Sequence, residues 1–372
     1  MTTTRIPLSA PDITDAETDA VVAVLRTPQL SLGPKLAEFE SAMAACVGVP
    51  HAVGVSSGTA GLHLALLAMG IGEGDEVIVP SFTFIAVANA VRYVGAHPVF
   101  ADIDADTLNL DPNSVEAAIT PRARAIIVVH TFGRPAPLEE LLDLARRHNL
   151  RVIEDACEAL GAEVAGRHVG SFGHAGVFAF YPNKQITTGE GGMVVTREAG
   201  LAQRMAALRN HGRYDSDSWF EHAELGFNYR LSEMQCALGL TQLARVDAIL
   251  ARRDAVARRY CEGLGRNGSL VLPATDVPNQ KLSWFVFVVR LASSLSPAVR
   301  DRIMRALGAA GIATGRYFAP IHLQPAYSRW GGAALPVTES VAARTLALPF
   351  FNRITDEQIE EVCEALDSAL RM

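Results

Sequence analysis

One lysine, Lys184, lies at the end of an apolar, strand-like run and is followed at once by small, hydroxylated and glycine residues (178–193). Lysines are scarce in this chain, and a lysine is almost never fully buried without a partner. A lysine in this position is either a solvated loop residue or an amine held for covalent chemistry with a carbonyl group. Lys184 is therefore the first candidate for a catalytic residue.

A second candidate is the run Ser57-Gly58-Thr59, which lies where a predicted strand (51–55) passes into a predicted helix. A helix N-terminus offers unpaired N–H groups and partial positive charge, which suit a phosphate group. Serine and threonine are also ordinary helix N-caps, so the run by itself leaves both interpretations open. No GxGxxG follows the first strand and there is no Walker A motif, which removes the usual support for a dinucleotide or P-loop site.

A carboxylate and two aromatic rings follow other predicted strands. Asp155 comes soon after the strand 151–153, where a carboxylate reaches the crevice beyond the strand ends and either holds a cation or caps a helix. Phe82 and Phe84 follow a further strand. One of these rings could stack on a flat ligand, worth roughly 0.5–1.5 kcal/mol beyond burial, and either ring could equally belong to the core.

Together these residues meet the requirements of one cofactor, pyridoxal 5'-phosphate: a phosphate cradle, a stacking ring, a carboxylate for a ring cation and a lysine for an imine. Asp155 would keep the pyridine nitrogen protonated, because an opposite charge at ~4 Å with an effective dielectric constant of ~20 favours the ion by roughly 4 kcal/mol before desolvation. Lys184 would form the resting imine, be displaced by an incoming amine, and then move the proton between substrate and cofactor carbons.

Composition limits the class of protein. The chain has 372 residues, 49% hydrophobic and 20% charged, which predicts a globular protein with two domains. A formal net charge of -7 argues against a nucleic-acid partner, whose phosphates need a basic face. The sequence has no signal-peptide pattern and no apolar run of membrane-spanning length, so we expect a cytoplasmic protein without a membrane partner. Five scattered cysteines without CxxC spacing predict reduced thiols rather than disulfides or a metal site.

The order of elements predicts the fold class. From about residue 50 to 200, short apolar runs alternate with helical patterns, which predicts an α/β fold with a mostly parallel central sheet flanked by helices. Strands are predicted at 51–55, 76–79, 98–101, 125–129, 151–153, 177–181 and 193–195, then a bent helical region at 232–264, a strand at 283–289, and helices at 297–311 and 354–370. We therefore expect a large cofactor-binding domain over 1–250, including an N-terminal segment, and a smaller C-terminal α+β domain over 251–372.

The chain resembles the DegT/StrS-type sugar aminotransferases, fold-type-I enzymes of the aspartate aminotransferase superfamily that depend on pyridoxal phosphate. The resemblance runs nearly end to end and rests on an ordered set of short motifs. These are SLGP at 31–34, SSGTAGL at 56–62, PSFTF at 80–84, EDACEALG at 154–161, GSFG at 170–173, NK at 183–184, TTGEGG at 187–192, GFNYRL at 226–231 and PIH at 320–322. The segment around the lysine is the most specific of them.

The resemblance implies roles for individual residues. The cofactor contacts would be Lys184 as the imine lysine, Asp155 on the pyridinium, Phe84 stacked on the ring, and Ser57, Gly58 and Thr59 on the phosphate. Asn228 would reach the phosphate of the neighbouring subunit, so the active sites would be shared across a homodimer. Glu158 would lie near the cofactor's phenolic oxygen, where relatives often have glutamine or histidine. A carboxylate there cannot donate a hydrogen bond unless it is protonated.

The sequence signals for substrate-binding residues are less specific than those for cofactor-binding residues. The residues that would border a sugar-nucleotide site are Arg209, His211, Arg230, Tyr317 and His322. Each of them could equally be a satisfied surface or core residue. The region 314–318 also departs from the histidine-tyrosine pair frequent in the family, which weakens any transfer of substrate identity.

The resemblance implies an aminotransferase that loads the cofactor as pyridoxamine phosphate from an amino donor, glutamate by analogy, and passes the amine to a keto group of a nucleotide-linked deoxysugar. A cyclitol or another small ketone would use the same residues. From a different class, a cofactor-binding regulator without turnover stays open. A related sugar dehydratase would have histidine at position 184, and a cysteine desulfurase would need a placed nucleophilic cysteine, for which none of the five has a suitable context.

Overall fold

The computed structural model describes residues 4–214, 221–265, 267–328, 330 and 334–371. The strands are β1 His51–Val55, β2 Glu76–Pro80, β3 His97–Ala101, β4 Ala123–Val129, β5 Arg151–Asp155, β6 Glu163–Val164, β7 Arg167–His168, β8 Ala175–Ala179, β9 Gly192–Thr196, β10 Leu270–Val271, β11 Gln280–Lys281, β12 Phe287–Leu291 and β13 Thr345–Leu348. The helices are α1 Asp15–Leu25, α2 Pro34–Val47, α3 Gly58–Ala68, α4 Ala86–Tyr93, α5 Pro112–Ala118, α6 Leu138–Arg147, α7 Ala199–Arg209, α8 Glu233–Ala244, α9 Val246–Leu264, α10 Pro297–Ala309, α11 Pro336–Ala342 and α12 Asp356–Arg371.

In the described part of the chain, seven strands form the central sheet in the order β1-β9-β8-β5-β4-β2-β3. β9 is antiparallel to both of its neighbours, and the pairs β8-β5, β5-β4, β4-β2 and β2-β3 are parallel. Six strands therefore point the same way, and their carboxyl ends meet at one edge of the sheet. The predicted α/β class with a mostly parallel sheet is confirmed, and this edge is where ligands bind in such sheets.

The sheet is buried on both faces, as the unbroken apolar runs predict. Every residue of β2 and of β9 is buried. One face packs against a core that includes α2, α6 and α8, and the other against a core built with α3, α4 and α7. The sheet is thus a rigid layer between two helical layers, which fixes the relative positions of the loops at its edge.

A third core lies in the C-terminal part of the chain. The sheet β10-β12-β13 packs there with α9, α10 and α12, and Ile6 from the N-terminal segment is buried among them. The expected division at residue 250 falls in the first turns of α9: Ile249 belongs to the first core, whereas Val256 and Tyr260 belong to the third. One helix therefore connects the two parts, and the division itself stays a prediction.

Local sequence explains several helix boundaries. Ser232 caps α8, since its side chain accepts a hydrogen bond from Gln235 and the Gln235 side chain bonds back to the Ser232 N–H group. The predicted bend in the region 232–264 is confirmed at Arg245, between α8 and α9. Helices α1, α2 and α11 were not predicted from the sequence. Among the described residues, no helix is both long and apolar enough to cross a membrane.

The predicted strand at 283–289 is wrong in its first half, because β12 begins only at Phe287. The preceding residues are held by another loop: the Ser283 N–H group donates to Gly133 O at 3.0 Å, and the Ser283 carbonyl accepts from Gln185. These bonds draw the segment 283–286 toward the edge of the central sheet. The apolar pattern could not reveal this, because a segment packed on a loop is as apolar as a strand.

Candidate active site

Lys184 lies in the loop after β8, at the shared edge of the sheet. Its side chain is 14% exposed, and its Nζ is 3.8 Å from Glu158 Oε1 and 3.9 Å from the centre of the Phe285 ring. A cation over an aromatic face and beside a carboxylate is stabilised by both. The amine is therefore held in a protected position rather than solvated in a loop.

The loop that carries the lysine is fixed through its backbone. Arg253 of α9 donates to the carbonyl of Asn183 at 3.3 Å and to that of Lys184 at 3.0 Å. Burial lowers the pKa of Arg253 to about 10. The Lys184 N–H group donates to Tyr181 O at 2.9 Å, which closes a turn around the lysine. The C-terminal part of the chain thus sets the position of the lysine through Arg253.

Asp155 is the last residue of β5 and is 7% exposed. Its Oδ1 accepts a hydrogen bond from the Cys157 N–H group at 3.1 Å, which orients the carboxylate at the strand end. β5 lies between β4 and β8, in the middle of the sheet. The two residues predicted as catalytic, Asp155 and Lys184, therefore follow adjacent strands at the same edge.

Glu158 is buried beside them, and its Oε2 accepts from the Phe132 N–H group at 2.9 Å. Burial raises the pKa of Glu158, and the cation of Lys184 opposes that rise. Phe132 has φ 55°, and Gly133 has φ +83° with Ser283 O so close that an added Cβ would lie 1.6 Å from it. Only glycine fits there, so this turn is built to aim the Phe132 N–H group at the carboxylate.

Gln185 connects the lysine loop to the Glu158 backbone. Its Nε2 donates to Glu158 O at 2.7 Å and lies within hydrogen-bond distance of both oxygens of Ser283. The Ser283 hydroxyl in turn donates to Leu160 O at 2.5 Å. The segments that carry Lys184, Glu158 and Phe285 are therefore tied together by buried hydrogen bonds.

The predicted phosphate cradle forms the N-terminus of α3. Ser57 is its N-cap and accepts from the Ala60 N–H group at 3.1 Å, while the helix geometry leaves the N–H groups of Gly58 and Thr59 without an intrahelical partner. A Cβ added to Gly58 would lie 2.8 Å from Cys157 Sγ and 2.9 Å from Ala179 Cβ. Glycine therefore lets the helix N-terminus lie directly against the segments that carry Asp155 and Lys184.

The two candidate stacking rings differ in their exposure to solvent. Phe82 is fully buried among other aromatic rings, whereas Phe84 is 61% exposed although it is a large apolar side chain. Both follow β2 at the same edge of the sheet. An exposed ring in this place is available to a ligand, and a buried one is not, so Phe84 is the candidate for stacking.

Four of the other predicted residues lie close together near the end of β1: Arg209, His211, Asn228 and Arg230. The Asn210 and Asn228 backbones form a bridge, His211 N donates to Phe227 O at 2.9 Å, and Arg230 Nη1 donates to Asn210 Oδ1 at 2.9 Å. Asn228 and His211 are exposed.

Arg209 differs from these residues because it is buried. Its Nη1 donates to Gly54 O at 2.8 Å and pairs with Glu40. Its contacts hold α2 and β1 to α7.

Tyr317 and His322 have different surroundings. The Tyr317 ring is stacked on Phe285 with centroids 6.2 Å apart, and burial, followed by the charge of Glu158, raises the pKa of Tyr317. His322 is buried: its Nδ1 is 2.6 Å from Ser81 Oγ and its Nε2 is 3.3 Å from Glu339. Tyr317 thus belongs to the wall around the lysine, whereas His322 links the loop after β2 to α11.

Sequence reasoning missed four residues that build the site: Phe132, Gln185, Arg253 and Phe285. Gln185 is the one with a signal in the sequence, since it is a polar residue directly after the lysine and before an apolar one. The other three come from distant segments and act through a backbone N–H group, a guanidinium and a ring face. Nothing in their local sequence distinguishes them from core or surface residues.

These residues fit pyridoxal phosphate. The α3 N-terminus supplies N–H donors for a phosphate, Phe84 an accessible ring face, Asp155 a buried carboxylate for a ring cation, and Lys184 an amine. When bound, this cofactor supplies an electrophilic carbonyl and an electron sink. All four elements lie at the single edge formed by the strand ends, which is what one flat ligand with a phosphate requires.

The comparison with protein families gives the same assignment. Residues 11–367 match the model of the DegT/DnrJ/EryC1/StrS aminotransferase family. Among curated proteins, a GDP-perosamine synthase from Caulobacter vibrioides is 44% identical over 368 residues, with 98% of each chain covered. The predicted resemblance is therefore confirmed across nearly the whole chain.

Solved structures of similar proteins support the same family assignment and the same cofactor. DesV of S. venezuelae, solved with a ketimine intermediate, is 40% identical with a TM-score of 0.91, and all of each chain is covered. The sugar aminotransferase Spr1654 of Streptococcus pneumoniae, solved in PLP and PMP forms, is 28% identical with a TM-score of 0.93 and 98% coverage of each chain. The predicted pyridoxal phosphate dependence and aminotransferase activity are confirmed. This chain belongs to the DegT/DnrJ/EryC1/StrS aminotransferase family.

Proposed function

We propose that the protein transfers an amino group from an amino acid, glutamate in the first instance, to a keto group of a nucleotide-linked deoxysugar. The observation that carries the proposal is the placement of the Lys184 amine, between a buried carboxylate and an aromatic face, at the edge of the sheet that also holds Asp155 and the α3 N-terminus. The 44% identity to a GDP-perosamine synthase favours a sugar carried on GDP.

Each residue has a defined task in this proposal. Lys184 holds the cofactor and moves a proton at the reacting carbon, Asp155 keeps a positive charge on the cofactor ring, and the N–H groups of Gly58 and Thr59 with the Ser57 and Thr59 hydroxyls hold the phosphate. Tyr317 lines the wall beside the amine. His211 and Arg230 are proposed to border the substrate, whereas the contacts of Arg209 and His322 favour positioning roles for these two.

A homodimer with shared sites is part of the proposal. Asn228 is exposed next to the end of β1, where the Ser56 N–H group donates to Tyr229 O at 2.8 Å, so it lies near the phosphate cradle but faces outward. Several large apolar side chains are also exposed: Leu25, Leu30, Leu32 and Leu225. A second copy of the chain would cover such surfaces. If K184A and N228A are each inactive alone, mixing them would restore partial activity when the sites are shared, and none when they are not.

We also propose that the protein works in the cytoplasm as two domains divided near residue 250. All five cysteines are free thiols, which suits a reducing compartment. Limited proteolysis of the purified protein would test the division, since a boundary within a connecting helix yields fragments that stay associated. Cleavage far from residue 250 into two stable, separate pieces would replace it with another boundary.

An absorption spectrum of the purified protein, before and after addition of glutamate, tests the function. We expect the band of the cofactor bound through Lys184, its shift to the pyridoxamine form with glutamate, and the reverse shift with a GDP-linked keto sugar. K184A should lack the first band, and K281A is the matched control, because Lys281 pairs with Glu163 away from the site. No binding of pyridoxal phosphate would overturn the proposal.

The same experiment separates the alternatives. A reverse shift with a cyclitol ketone, and none with any nucleotide-linked keto sugar, would replace the proposed substrate by a small ketone. A cofactor band that resists every amine donor would favour a regulator without turnover. Nothing in the described residues favours either of these over the nucleotide sugar.

A further inference from the structure

Glu158 is a buried carboxylate to which the proposed function assigns no task. Its side chain is 8% exposed; Oε2 is held by the Phe132 N–H group at 2.9 Å, and Oε1 lies 3.8 Å from Lys184 Nζ. One oxygen is therefore anchored to the scaffold while the other faces the amine on which the chemistry depends. Gln185 also donates to the Glu158 carbonyl at 2.7 Å, which fixes the backbone that carries the carboxylate.

The surroundings of Glu158 make its charge depend on the lysine. The titratable groups that face it are Lys184, the carboxylate of Asp155, the thiol of Cys157 and the phenol of Tyr317. Burial raises the pKa of Glu158, and also those of Cys157 and Tyr317, so neither of these two supplies charge near neutral pH. Among these groups Lys184 is the only cation, and Asp155 adds repulsion.

Covalent chemistry at Lys184 removes that cation. An ammonium has no free electron pair, so the lysine must lose a proton before its nitrogen can attack a carbonyl. Once it has, Glu158 would be a buried carboxylate with one hydrogen bond and no counter-ion, which is a strongly unfavourable state. Protonation of the carboxylate relieves it, because a carboxylic acid carries no charge and can donate a hydrogen bond.

We propose that Glu158 is the proton partner of Lys184: it takes the proton when the amine becomes a nucleophile and returns it when the ammonium forms again. One N–H bond of the Lys184 ammonium breaks and one O–H bond forms at Glu158 Oε1. Ammonium and carboxylate become amine and carboxylic acid, so the charge of the pair stays at zero. The 3.8 Å separation exceeds a hydrogen bond, so the transfer uses a closer approach of the lysine chain or one bridging water.

Proton counting by calorimetry tests this role. Pyridoxal phosphate is titrated into the cofactor-free, full-length protein at one pH in buffers of different ionisation enthalpy, which gives the number of protons exchanged on binding. We expect the wild type and E158Q to differ by about one proton, since only the wild type keeps the lysine proton in the site. Equal proton numbers would overturn the proposal.

Two controls isolate the pair. E163Q removes another carboxylate that faces a lysine, Lys281 at 2.9 Å, and should exchange the same number of protons as the wild type. The K184M variant has no lysine amine that can react with the cofactor. In this background E158Q should no longer change the number of protons exchanged on binding. A difference that persists in K184M would show that Glu158 responds to the cofactor rather than to the lysine, and would overturn the pairing.

A second measurement uses the cofactor-free protein. It therefore tests the role of Glu158 even if pyridoxal phosphate does not bind, a result that would overturn the proposed function alone. The folded-state pKa of Glu158 is raised above its ordinary value of 4.5, so its stabilising contribution is present at low pH and is lost as pH rises through the folded-state value. Without the lysine cation this loss should grow. The urea midpoint of K184M should fall with rising pH, and that of K184M/E158Q should not; parallel profiles would overturn the proposal.

Discussion

Two glutamates, Glu154 within β5 and Glu158 just after it, are both buried, yet their carboxylates have very different surroundings. Glu154 accepts four hydrogen bonds: from the N–H groups of Gly170, Phe172 and Gly173, each at 2.7 Å, and from His130 at 3.0 Å. Within the described part of the chain, Glu158 accepts one hydrogen bond, from Phe132, and faces a lysine 3.8 Å away. One carboxylate is saturated by fixed donors, and the other depends on the amine of Lys184, the proposed imine lysine.

The difference separates a carboxylate held by the fold from one that is proposed to take part in the chemistry. The His130 Nδ1 atom accepts from the Ala136 N–H group at 3.1 Å, which places the ring proton on Nε2, where it donates to Glu154. Every partner of Glu154 is thus a committed donor, and its charge holds the loop 170–173 against the strand. Burial alone therefore does not identify a functional carboxylate; the identity and the number of its partners do.

The largest expected effect is the loss of turnover when Lys184, the residue that faces Glu158, is replaced. Lys184→Ala should lower turnover by at least about 10⁴-fold, because both half-reactions lose the amine and the proton carrier. The thermal unfolding midpoint of the cofactor-free variant should fall with rising pH, because loss of the amine leaves the buried Glu158 carboxylate without its counter-ion. Steady-state assays and thermal melts check both parts. Near-normal turnover would remove Lys184 from the chemistry.

Asp155→Asn should come next in size. The rate should fall by up to about 10³-fold, which corresponds to the roughly 4 kcal/mol that an opposite charge at ~4 Å provides to a ring cation before desolvation. The amide keeps an oxygen that can accept from Cys157, so the fold should be retained. Stopped-flow spectra of the glutamate half-reaction measure the effect. A rate within a few-fold of the wild type would show that Asp155 does not set the ring charge.

Glu154→Gln tests the structural carboxylate. The new NH₂ group must face an N–H donor, so the free energy of unfolding should fall by about 3 kcal/mol. Urea denaturation of E154Q measures this fall, and Glu163→Gln on the surface provides the matched control, for which we expect a change below about 1 kcal/mol. If E154Q were as stable as that control, the saturated carboxylate would not be holding the loop.

Glu158→Gln should have the smallest effect on stability. At neutral pH the change should stay within about 1 kcal/mol, since the amide can still accept from Phe132. Because the folded-state pKa of Glu158 is raised, the wild type loses stability relative to E158Q as pH rises above about 4.5. Unfolding free energies of the cofactor-free proteins over this pH range test the sign. A gap that moves in the opposite direction would contradict the burial of an incompletely paired charge.

Sequence reasoning succeeded where a pattern reports a local property. The alternation of apolar strands and helices predicted the central sheet, and the motifs around Lys184, Asp155 and Gly58 predicted the ends of the strands that carry the chemistry. It failed at 283–286, where the segment leaves the sheet for hydrogen bonds to Gly133 and Gln185. Those partners lie far away in the chain, and nothing in local periodicity reports a distant hydrogen bond.

The sequence by itself determined the fold class, the family and the cofactor, and it singled out Lys184 as the candidate imine lysine, because each depends on residue types at fixed short spacings. Only the tertiary structure decided that Phe84 is exposed while Phe82 is buried, that Arg209 is tied to Glu40 and Gly54, and that Glu158 faces the lysine with one oxygen free. The physical reason is that exposure and partner choice are set by contacts between distant segments, and these form only when the sheet brings its strand ends to one edge.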